Sequence, residues 1–222
     1  MRRPKLIVFD LDGTLVDSVP DLAWCIDQML ETLDLPPQGE AKVRRWVGNG
    51  VNKLILRSIE SSSGAKPDVL QTKNALKVFN SLYLNHYAVH TRIYDTVTDF
   101  LEFVQHTKIH TGCVTNKAEK FTLPILEKLG LSRFFEVVIC GDTLIRMKPD
   151  PLPLITIAQK FSVSPDFSLM VGDSVNDVKA ARTAGFGIAC MSYGYNHGED
   201  IRLCCPDIVV DSMEDLKKMI SW

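Results

Sequence analysis

Near its N-terminus the chain carries a short apolar run that ends in two acids, Leu6-Ile7-Val8-Phe9-Asp10-Leu11-Asp12-Gly13-Thr14. Four apolar residues rich in strand formers predict a buried strand, and the Gly-Thr pair after the acids predicts a turn. Alternation along the strand places Asp10 and Asp12 on the same side. Two unit charges about 4 Å apart repel by roughly 4 kcal/mol at an effective dielectric of about 20. The pair therefore indicates a bound divalent cation or a carboxyl group that works as an acid, unless the strand simply runs into a solvated acidic loop.

Composition and charge narrow the classes of function. The 222 residues are 45% hydrophobic and 23% charged, which is typical of a soluble globular protein with one domain, or with a core and a smaller insert. A net charge of −2 argues against nucleic acid as a partner, because binding to phosphate backbones needs a basic face. The apolar run is interrupted at once by Asp10 and Asp12, so we predict neither a signal peptide nor a membrane anchor.

The six cysteines lack the spacing of a zinc site. Cys113, Cys140 and Cys190 lie in apolar runs that predict core strands. We therefore expect core thiols in a reducing compartment, which predicts a cytoplasmic location. The adjacent Cys204-Cys205 falls in a predicted loop and has no predicted role.

Residues 17–90 contain helical patterns and no strand pattern. We expect Asp17-Ser18 to cap the first helix and Pro36-Pro37 to close it. A Gly48-Asn49-Gly50 turn interrupts the second helical run. Helices are predicted at 20–33, on both sides of this turn from 43 onward, and at 67–89, with a polar loop at 61–66. This part of the chain is therefore expected to be an all-helical insert.

After residue 90, strand and helix patterns alternate. Strands are predicted at 110–114, 136–140, 167–171, 187–191 and 207–210, and helices at 96–106, 118–129, 151–161, 175–184 and 213–220. This alternation predicts an α/β fold, with a Rossmann-like, doubly wound parallel sheet formed by residues 1–16 and 91–222. Ligands of such sheets bind beyond the carboxyl ends of the strands. The residues that follow each strand are therefore the candidates for a site.

Polar side chains follow several of these strands. Thr115-Asn116 opens a helix, which is typical either of an anion site or of an ordinary N-cap. Lys148 precedes a proline-framed helix start, where a lysine is usually solvated. Asp173 and Asp177 stand four apart at another helix start, where acids often serve as caps or dipole partners. Each ordinary alternative is plausible alone, but the series of acid pair, hydroxyl, lysine and second acid pair indicates one catalytic site.

This series resembles the four motifs of the haloacid-dehalogenase-like superfamily: the DxDGT run at Asp10, the threonine Thr115, the lysine Lys148, and the GDxxxD run that begins at Gly172. The resemblance covers nearly the whole chain. The helical insert directly after the first motif is similar to the helical cap domain of that superfamily. Two shorter stretches, Trp46-Val47-Gly48-Asn49-Gly50 and Gly194-Tyr195-Asn196-His197-Gly198, are similar to stretches of phosphoglycolate phosphatases.

The resemblance implies a magnesium-dependent phosphomonoester hydrolase that forms an aspartyl-phosphate. Asp10 would attack phosphorus, and Asp12 would act as general acid and then as general base. Mg²⁺ would be held by Asp10, the backbone carbonyl of Asp12, and Asp173. The implied partner is a small phosphate monoester, with no nucleic acid and no membrane. The oligomeric state is left open.

The resemblance also implies how phosphate and leaving group are bound. Thr115 and Asn116 would hold phosphoryl oxygens, Lys148 would neutralise developing charge, and Asp177 would orient Lys148 or a metal-bound water. The turn of Gly48, Asn49 and Gly50 would face the catalytic motifs, with Arg45 as a candidate charge partner for the leaving group. These features predict 2-phosphoglycolate as the substrate.

Three alternatives stay open at this point. A sugar-phosphate mutase uses the same two aspartates, another small phosphate ester could be the substrate, and a catalytically silent member of the superfamily would bind without reacting. The dehalogenases and phosphonate hydrolases of the superfamily lack an aspartate at the position of Asp12. Its presence here therefore argues against cleavage of carbon–halogen or carbon–phosphorus bonds.

Overall fold

A computed structural model describes residues 3–220 and confirms the α/β fold with a parallel sheet. The six strands of the main sheet are β1 (Leu6–Phe9), β4 (His110–Val114), β5 (Val137–Ile139), β6 (Ser168–Gly172), β7 (Gly187–Met191) and β8 (Ile208–Val210). Their order is β5-β4-β1-β6-β7-β8, and every neighbouring pair is parallel. The predicted core segments are residues 1–16 and 91–222. Their outermost residues, which are 1–2 and 221–222, lie outside the described part of the chain.

Helices cover both faces of the sheet. They are α5 (Val97–Gln105), α6 (Glu119–Lys128), α7 (Leu152–Lys160), α8 (Val175–Ala184) and α9 (Met213–Ile220). Along β1 the side chains alternate, because successive residues of a strand point to opposite faces. Ile7 and Phe9 pack with α5, α6 and α9, whereas Leu6 and Val8 pack with α7 and α8. The central strand is therefore buried on both sides, as its uninterrupted apolar run predicts.

The strand order places β1 at the point where the sheet changes direction. The chain leaves β1 to build β4 and β5 on one side, and then returns to build β6, β7 and β8 on the other. In doubly wound sheets a crevice opens at this switch point, beyond the carboxyl ends of the strands. The residues that follow β1, β4 and β6 consequently meet in one place.

Four helices between β1 and β4 lie apart from the sheet helices. They are α1 (Val19–Thr32), α2 (Glu40–Trp46), α3 (Val51–Ser63) and α4 (Val69–His86), called here the cap helices. They share a hydrophobic core of their own, to which Phe121 and Tyr195 from the rest of the chain contribute. Within residues 3–220, no helix combines the length and the apolar character needed to cross a membrane.

A two-stranded antiparallel ribbon, β2 (Val16–Asp17) with β3 (Arg92–Ile93), connects the cap helices to the sheet. The sequence patterns missed this ribbon, because two-residue strands are too short to show alternation. Its strands lie at the predicted domain boundaries, 16/17 and 90/91. The division into core and cap domains itself stays a prediction.

One local expectation about the cap helices is confirmed in part, and another is wrong. Ser18 is the N-cap residue of α1, and Asp17 Oδ1 accepts a hydrogen bond of 3.3 Å from the Val19 N–H. The Ser18 side chain, however, makes no capping hydrogen bond and donates to Asp12. The predicted polar loop at 61–66 begins later, because α3 continues to Ser63. The Ser63 hydroxyl donates to the Ile59 carbonyl one turn earlier, and Gly64 ends the helix with a left-handed conformation.

Candidate active site

Lys148 lies at the centre of the polar side chains that follow strands β1, β4 and β6. Only 2% of its surface is exposed. Its Nζ contacts Asp10 Oδ1 at 2.9 Å and Asp177 Oδ1 at 2.7 Å. The solvated alternative for this lysine is therefore wrong, because two carboxylates compensate its charge after burial. Asp10 Oδ1 also accepts a hydrogen bond of 2.7 Å from the Leu11 N–H.

Three carboxylates converge beside this lysine. One oxygen each of Asp10, Asp173 and Asp177 lies within 4.8 Å of the others. Burial raises the pKa of Asp10 to about 7, although Lys148 opposes this shift. Burial and the charge of Asp177 raise the pKa of Asp173 well above its ordinary value. A divalent cation would relieve the repulsion, and carboxylate oxygens are the donors that hard cations prefer, so these residues fit such an ion.

Backbone packing holds Asp173 in place. Its Oδ1 accepts a hydrogen bond from Thr14 Oγ1 at 2.9 Å, and its Oδ2 accepts one from the Tyr195 N–H at 2.8 Å. A Cβ at Gly13 would lie 2.4 Å from Asp173 Oδ2, and one at Gly194 would lie 2.1 Å from Asp173 Cβ. Only glycine lets the backbone approach so closely. These close approaches were not predicted from the sequence, although Gly13 and Gly194 belong to the DxDGT motif and to the stretch Gly194-Tyr195-Asn196-His197-Gly198.

Asp177 is engaged by both of its oxygens. Oδ1 contacts Lys148, while Oδ2 accepts hydrogen bonds from Ser174 Oγ at 2.7 Å and from the Ser174 N–H at 3.0 Å. The hydrogen bond from the Ser174 N–H is one half of the capping box of α8. The helix-cap alternative for Asp177 is therefore realised through Oδ2, while Oδ1 contacts the lysine. The role of Asp177 in the site stays a prediction.

Asp12 has two partners that the sequence analysis did not assign. Lys117 Nζ lies 3.0 Å from both carboxylate oxygens of Asp12, and Ser18 Oγ donates to Oδ1. Lys117 follows Thr115-Asn116 directly, so its position after a strand end was the available signal. Thr115 is buried, and its Oγ1 accepts from the Lys117 N–H at 3.2 Å. Ala118 is the N-cap residue of α6, so the N-cap alternative for Thr115-Asn116 is wrong.

The glycine-rich turn of the cap helices contacts the core, as the sequence analysis expected. The Gly48 carbonyl accepts hydrogen bonds from Asn116 Nδ2 at 3.0 Å and from Asn176 Nδ2 at 3.1 Å. Asn116 Nδ2 also donates to the Lys148 carbonyl at 2.8 Å. Asn116 therefore joins the cap turn to the segment that carries the lysine, a connection that the sequence patterns did not predict.

A cavity of about 70 Å³ lies between the core and the cap helices. Asp10, Asp12, Thr115 and Asn116 contribute its polar floor. Other lining residues are Leu22, Val47, Gly48, Gly50, Val51, Leu54, Phe79, Tyr83, Lys117, Ala118 and Phe121. The predicted catalytic acids therefore face a small, partly open cavity in which most of the walls are apolar.

Arg45 and Asn49 are not among these lining residues. Asn49 Oδ1 accepts a hydrogen bond of 2.8 Å from Arg57 Nη2, which ties it to α3. Arg45 is exposed, and its side chain packs against Gly198. In this arrangement both side chains point to contacts outside the cavity, so their predicted role in binding the leaving group stays a prediction.

Acids, a hydroxyl and a buried lysine lie together in the crevice at the switch point of the sheet, and the cap helices cover them. This arrangement is typical of a class of hydrolases. The family model described as haloacid dehalogenase-like hydrolase matches residues 7–191, and the chain belongs to this family.

Similar proteins carry a more specific description. The chain is 47% identical over 221 residues to a phosphoglycolate phosphatase from Nitrosococcus oceani, covering 100% of this chain and 98% of that protein. It is 42% identical to phosphoglycolate phosphatase 1 from Pseudomonas aeruginosa, covering 97% of this chain and 79% of the relative. A crystal structure described as a predicted phosphoglycolate phosphatase from Haemophilus somnus 129PT superimposes with a TM-score of 0.94 at 35% identity, covering 99% of both chains.

Proposed function

We propose that this chain hydrolyses 2-phosphoglycolate to glycolate and phosphate through an aspartyl-phosphate intermediate. The observation that carries the proposal is the constellation at the cavity floor, where Asp10, Asp12 and Thr115 lie beside buried Lys148. The relatives described as phosphoglycolate phosphatases support the choice of substrate.

In the first step Asp10 is the nucleophile. Lys148 and the Leu11 N–H both contact Oδ1 of this carboxylate, so we assign the attack to Oδ2. The new bond joins Oδ2 to phosphorus as the bond between phosphorus and the ester oxygen breaks. Asp12 is the general acid of this step: it takes up a proton before the attack and passes it to the leaving oxygen, which departs as the hydroxyl of glycolate.

In the second step water releases the phosphate. Asp12 takes a proton from the water, whose oxygen bonds to phosphorus as the bond from phosphorus to Asp10 breaks. Inorganic phosphate leaves, Asp10 is again a carboxylate, and Asp12 is again protonated. Ser18 and Lys117 hold the Asp12 side chain between the two proton transfers.

The charge of Lys148 and the hydrogen-bond donors on the polar side of the cavity stabilise the phosphoryl group. Lys148 is buried between Asp10 and Asp177, and the Coulombic pull of both carboxylates outweighs burial and keeps its pKa above the ordinary value. The ammonium is therefore charged at neutral pH and positioned against the transferring group. Thr115 Oγ1 supplies a hydroxyl at the same floor. The backbone N–H of Asn116 is the further donor, because both hydrogens of its side-chain amide are engaged by the Gly48 and Lys148 carbonyls.

The acid cluster fits Mg²⁺. Asp10 and Asp173 would hold the ion with the backbone carbonyl of Asp12, while Asp177 orients Lys148. When bound, the ion supplies positive charge that offsets repulsion between the carboxylate and the phosphate dianion. Two hydrogen bonds and the neighbouring glycines hold the Asp173 carboxylate in one orientation beside Asp10.

The cap helices provide the wall against which a small leaving group lies. The glycine turn reaches the cavity through Gly48 and Gly50, and Gly50 is the N-cap residue of α3, with no side chain to occupy the free N–H groups. A helix N-terminus of this kind suits a carboxylate. A small phosphate monoester is the proposed partner, without nucleic acid or membrane, and the cytoplasmic location stays a prediction.

The proposal is tested by comparing 2-phosphoglycolate, ethyl phosphate and a hexose phosphate in the presence of Mg²⁺. We expect kcat/KM to be highest for 2-phosphoglycolate, by roughly 10-fold to 100-fold over ethyl phosphate, since each charge-assisted hydrogen bond contributes about 1.5–3 kcal/mol. Chelation should abolish the activity and Mg²⁺ should restore it. A higher kcat/KM for a hexose phosphate would overturn the substrate assignment, and activity that survives chelation would overturn the metal assignment.

A further inference from the structure

The cavity wall opposite the catalytic floor has very little polarity. Among the lining residues that the cap helices contribute, Tyr83 is the one with a polar side chain. Among all the residues that line the cavity, Lys117 is the one cation. A leaving group with a carboxylate needs donors to replace its lost hydration. These two side chains are therefore the ones that could receive it.

Tyr83 carries a buried hydroxyl, and its residue is 1% exposed. Within residues 3–220 the hydroxyl proton is donated to no acceptor, although the Lys117 ammonium lies close to its oxygen. The ring is fixed by stacking on Phe79 at a centroid distance of 5.3 Å and by an edge contact with Phe121 at 4.7 Å. Burial raises the pKa of the phenol, which therefore keeps its proton to donate. An unpaired buried donor costs stability, and Tyr83 lines the cavity, so a ligand carboxylate there would compensate this donor.

Lys117 lies between this hydroxyl and the general acid. Its Nζ is 3.0 Å from both oxygens of Asp12 and 5.1 Å from the centre of the Tyr83 ring. Burial opposes its charge, but the attraction of Asp12 outweighs burial and holds the lysine pKa above its ordinary value. An ammonium group has three N–H donors. Two of them meet the oxygens of Asp12, and the third lies by the Tyr83 oxygen, which a substrate carboxylate would replace as acceptor.

We propose that the Lys117 ammonium and the Tyr83 hydroxyl bind the carboxylate of the leaving group and set the preference for acidic phosphate esters. This assignment rests on the proposed function and adds the side chains that recognise the substrate. It is compatible with the N–H groups at the start of α3, because a carboxylate accepts about four hydrogen bonds. The apolar walls strengthen both contacts by excluding water.

The first test replaces Tyr83 by phenylalanine, which keeps the stacked ring and removes the hydroxyl. We expect Tyr83→Phe to lower kcat/KM for 2-phosphoglycolate by about 10-fold to 100-fold, and that for ethyl phosphate by less than about threefold. The matched control is Tyr94→Phe, which removes another buried hydroxyl, one that lies near Tyr195 and does not line the cavity. Thermal melting without substrate should show Tyr83→Phe to be at least as stable as the wild type.

The second test separates the two roles of Lys117. Lys117→Gln disturbs Asp12 and should slow both esters, so the informative quantity is the ratio of kcat/KM for 2-phosphoglycolate to that for ethyl phosphate. We expect this ratio to fall by about tenfold or more in Lys117→Gln and to recover partly in Lys117→Arg, which restores the charge.

The outcomes distinguish this assignment from the proposed function. If the wild type prefers 2-phosphoglycolate and both Tyr83→Phe and Lys117→Gln keep that preference, the carboxylate lies elsewhere and only the assignment is overturned. Equal losses for the two esters in Tyr83→Phe would likewise overturn the assignment. A wild type that treats 2-phosphoglycolate and ethyl phosphate alike would overturn the proposed function as well.

Discussion

At the scale of single residues, the raised pKa of Asp10 connects metal binding to pH. Burial holds this pKa at about 7 in the metal-free chain, far above that of an exposed aspartate. Below about pH 7 the group carries a proton that a cation must displace, so Mg²⁺ affinity should fall as the pH falls. Calorimetric titration with Mg²⁺ at about pH 6 and about pH 8 measures this directly. Equal affinities at both pH values would contradict the shift.

The two acids of the last motif should respond differently to removal. Asp173→Ala deletes a proposed ligand and should weaken Mg²⁺ binding strongly. Asp177→Ala should weaken it less, but should cost about 10-fold to 100-fold in activity even at saturating Mg²⁺, because Lys148 loses a partner at 2.7 Å. Metal titration and kcat at saturating Mg²⁺ separate the two effects. The same loss of metal affinity in both variants would show that Asp177 also binds the ion.

Residue types that carry a recognisable chemistry could be predicted as site candidates from the sequence. Asp10, Asp12, Thr115 and Lys148 stand after strands, and the structure brings all four to one crevice. Lys117 could not be identified in this way, because a lysine is usually solvated and its burial here depends on Asp12, which lies 105 positions earlier.

At the scale of elements, the starts of α2 and α3 provide a controlled comparison. Gly39 (φ 76°, ψ 162°) and Gly50 (φ 80°, ψ 161°) are the N-cap residues of these helices and share a backbone conformation that strongly favours glycine. Alanine at either position should cost about 1–3 kcal/mol of the free energy of unfolding. Gly50 lines the cavity, whereas a Cβ at Gly39 would meet nothing within 4 Å. Only Gly50→Ala should therefore also reduce the preference for 2-phosphoglycolate over ethyl phosphate.

Chemical denaturation and kinetics with both esters check this comparison. A Gly50→Ala variant that loses stability like Gly39→Ala but keeps the full substrate preference would remove the α3 turn from the binding site. A Gly39→Ala variant that loses the preference would show that the cap helices transmit backbone strain to the cavity.

Long periodic elements could be predicted, and short irregular ones could not. The helix predicted at 67–89 is observed as α4, with Phe79 and Tyr83 buried on one face. The ribbon β2–β3 was missed because it contains only two residues per strand. The side chain of Ser18 was assigned to a helix cap, although it donates to Asp12, since local sequence does not show which acceptor lies closer in space.

At the scale of the whole molecule, the alternation of strand and helix was sufficient to predict a parallel sheet. The alternation did not predict the order of the strands in that sheet. That order depends on which side of β1 each crossover packs, and it is fixed by contacts between distant segments. The hydrogen bond from Thr14 to Asp173, across 159 positions, is one of them. The central position of β1 is what places its two aspartates between the residues that follow β4 and β6.

The central claim is that Asp10 becomes covalently phosphorylated during turnover. The most direct measurement mixes the enzyme with Mg²⁺ and 2-phosphoglycolate, stops the reaction with acid within a turnover, and locates the modified residue by peptide mass spectrometry. We expect one phosphoryl group on Asp10, and none in Asp10→Asn, which should fold and should be more stable than the wild type without metal because a buried repulsive carboxylate is gone. A phosphoryl group on another residue, or an Asp10→Asn variant that keeps more than about a tenth of the wild-type rate, would contradict the account.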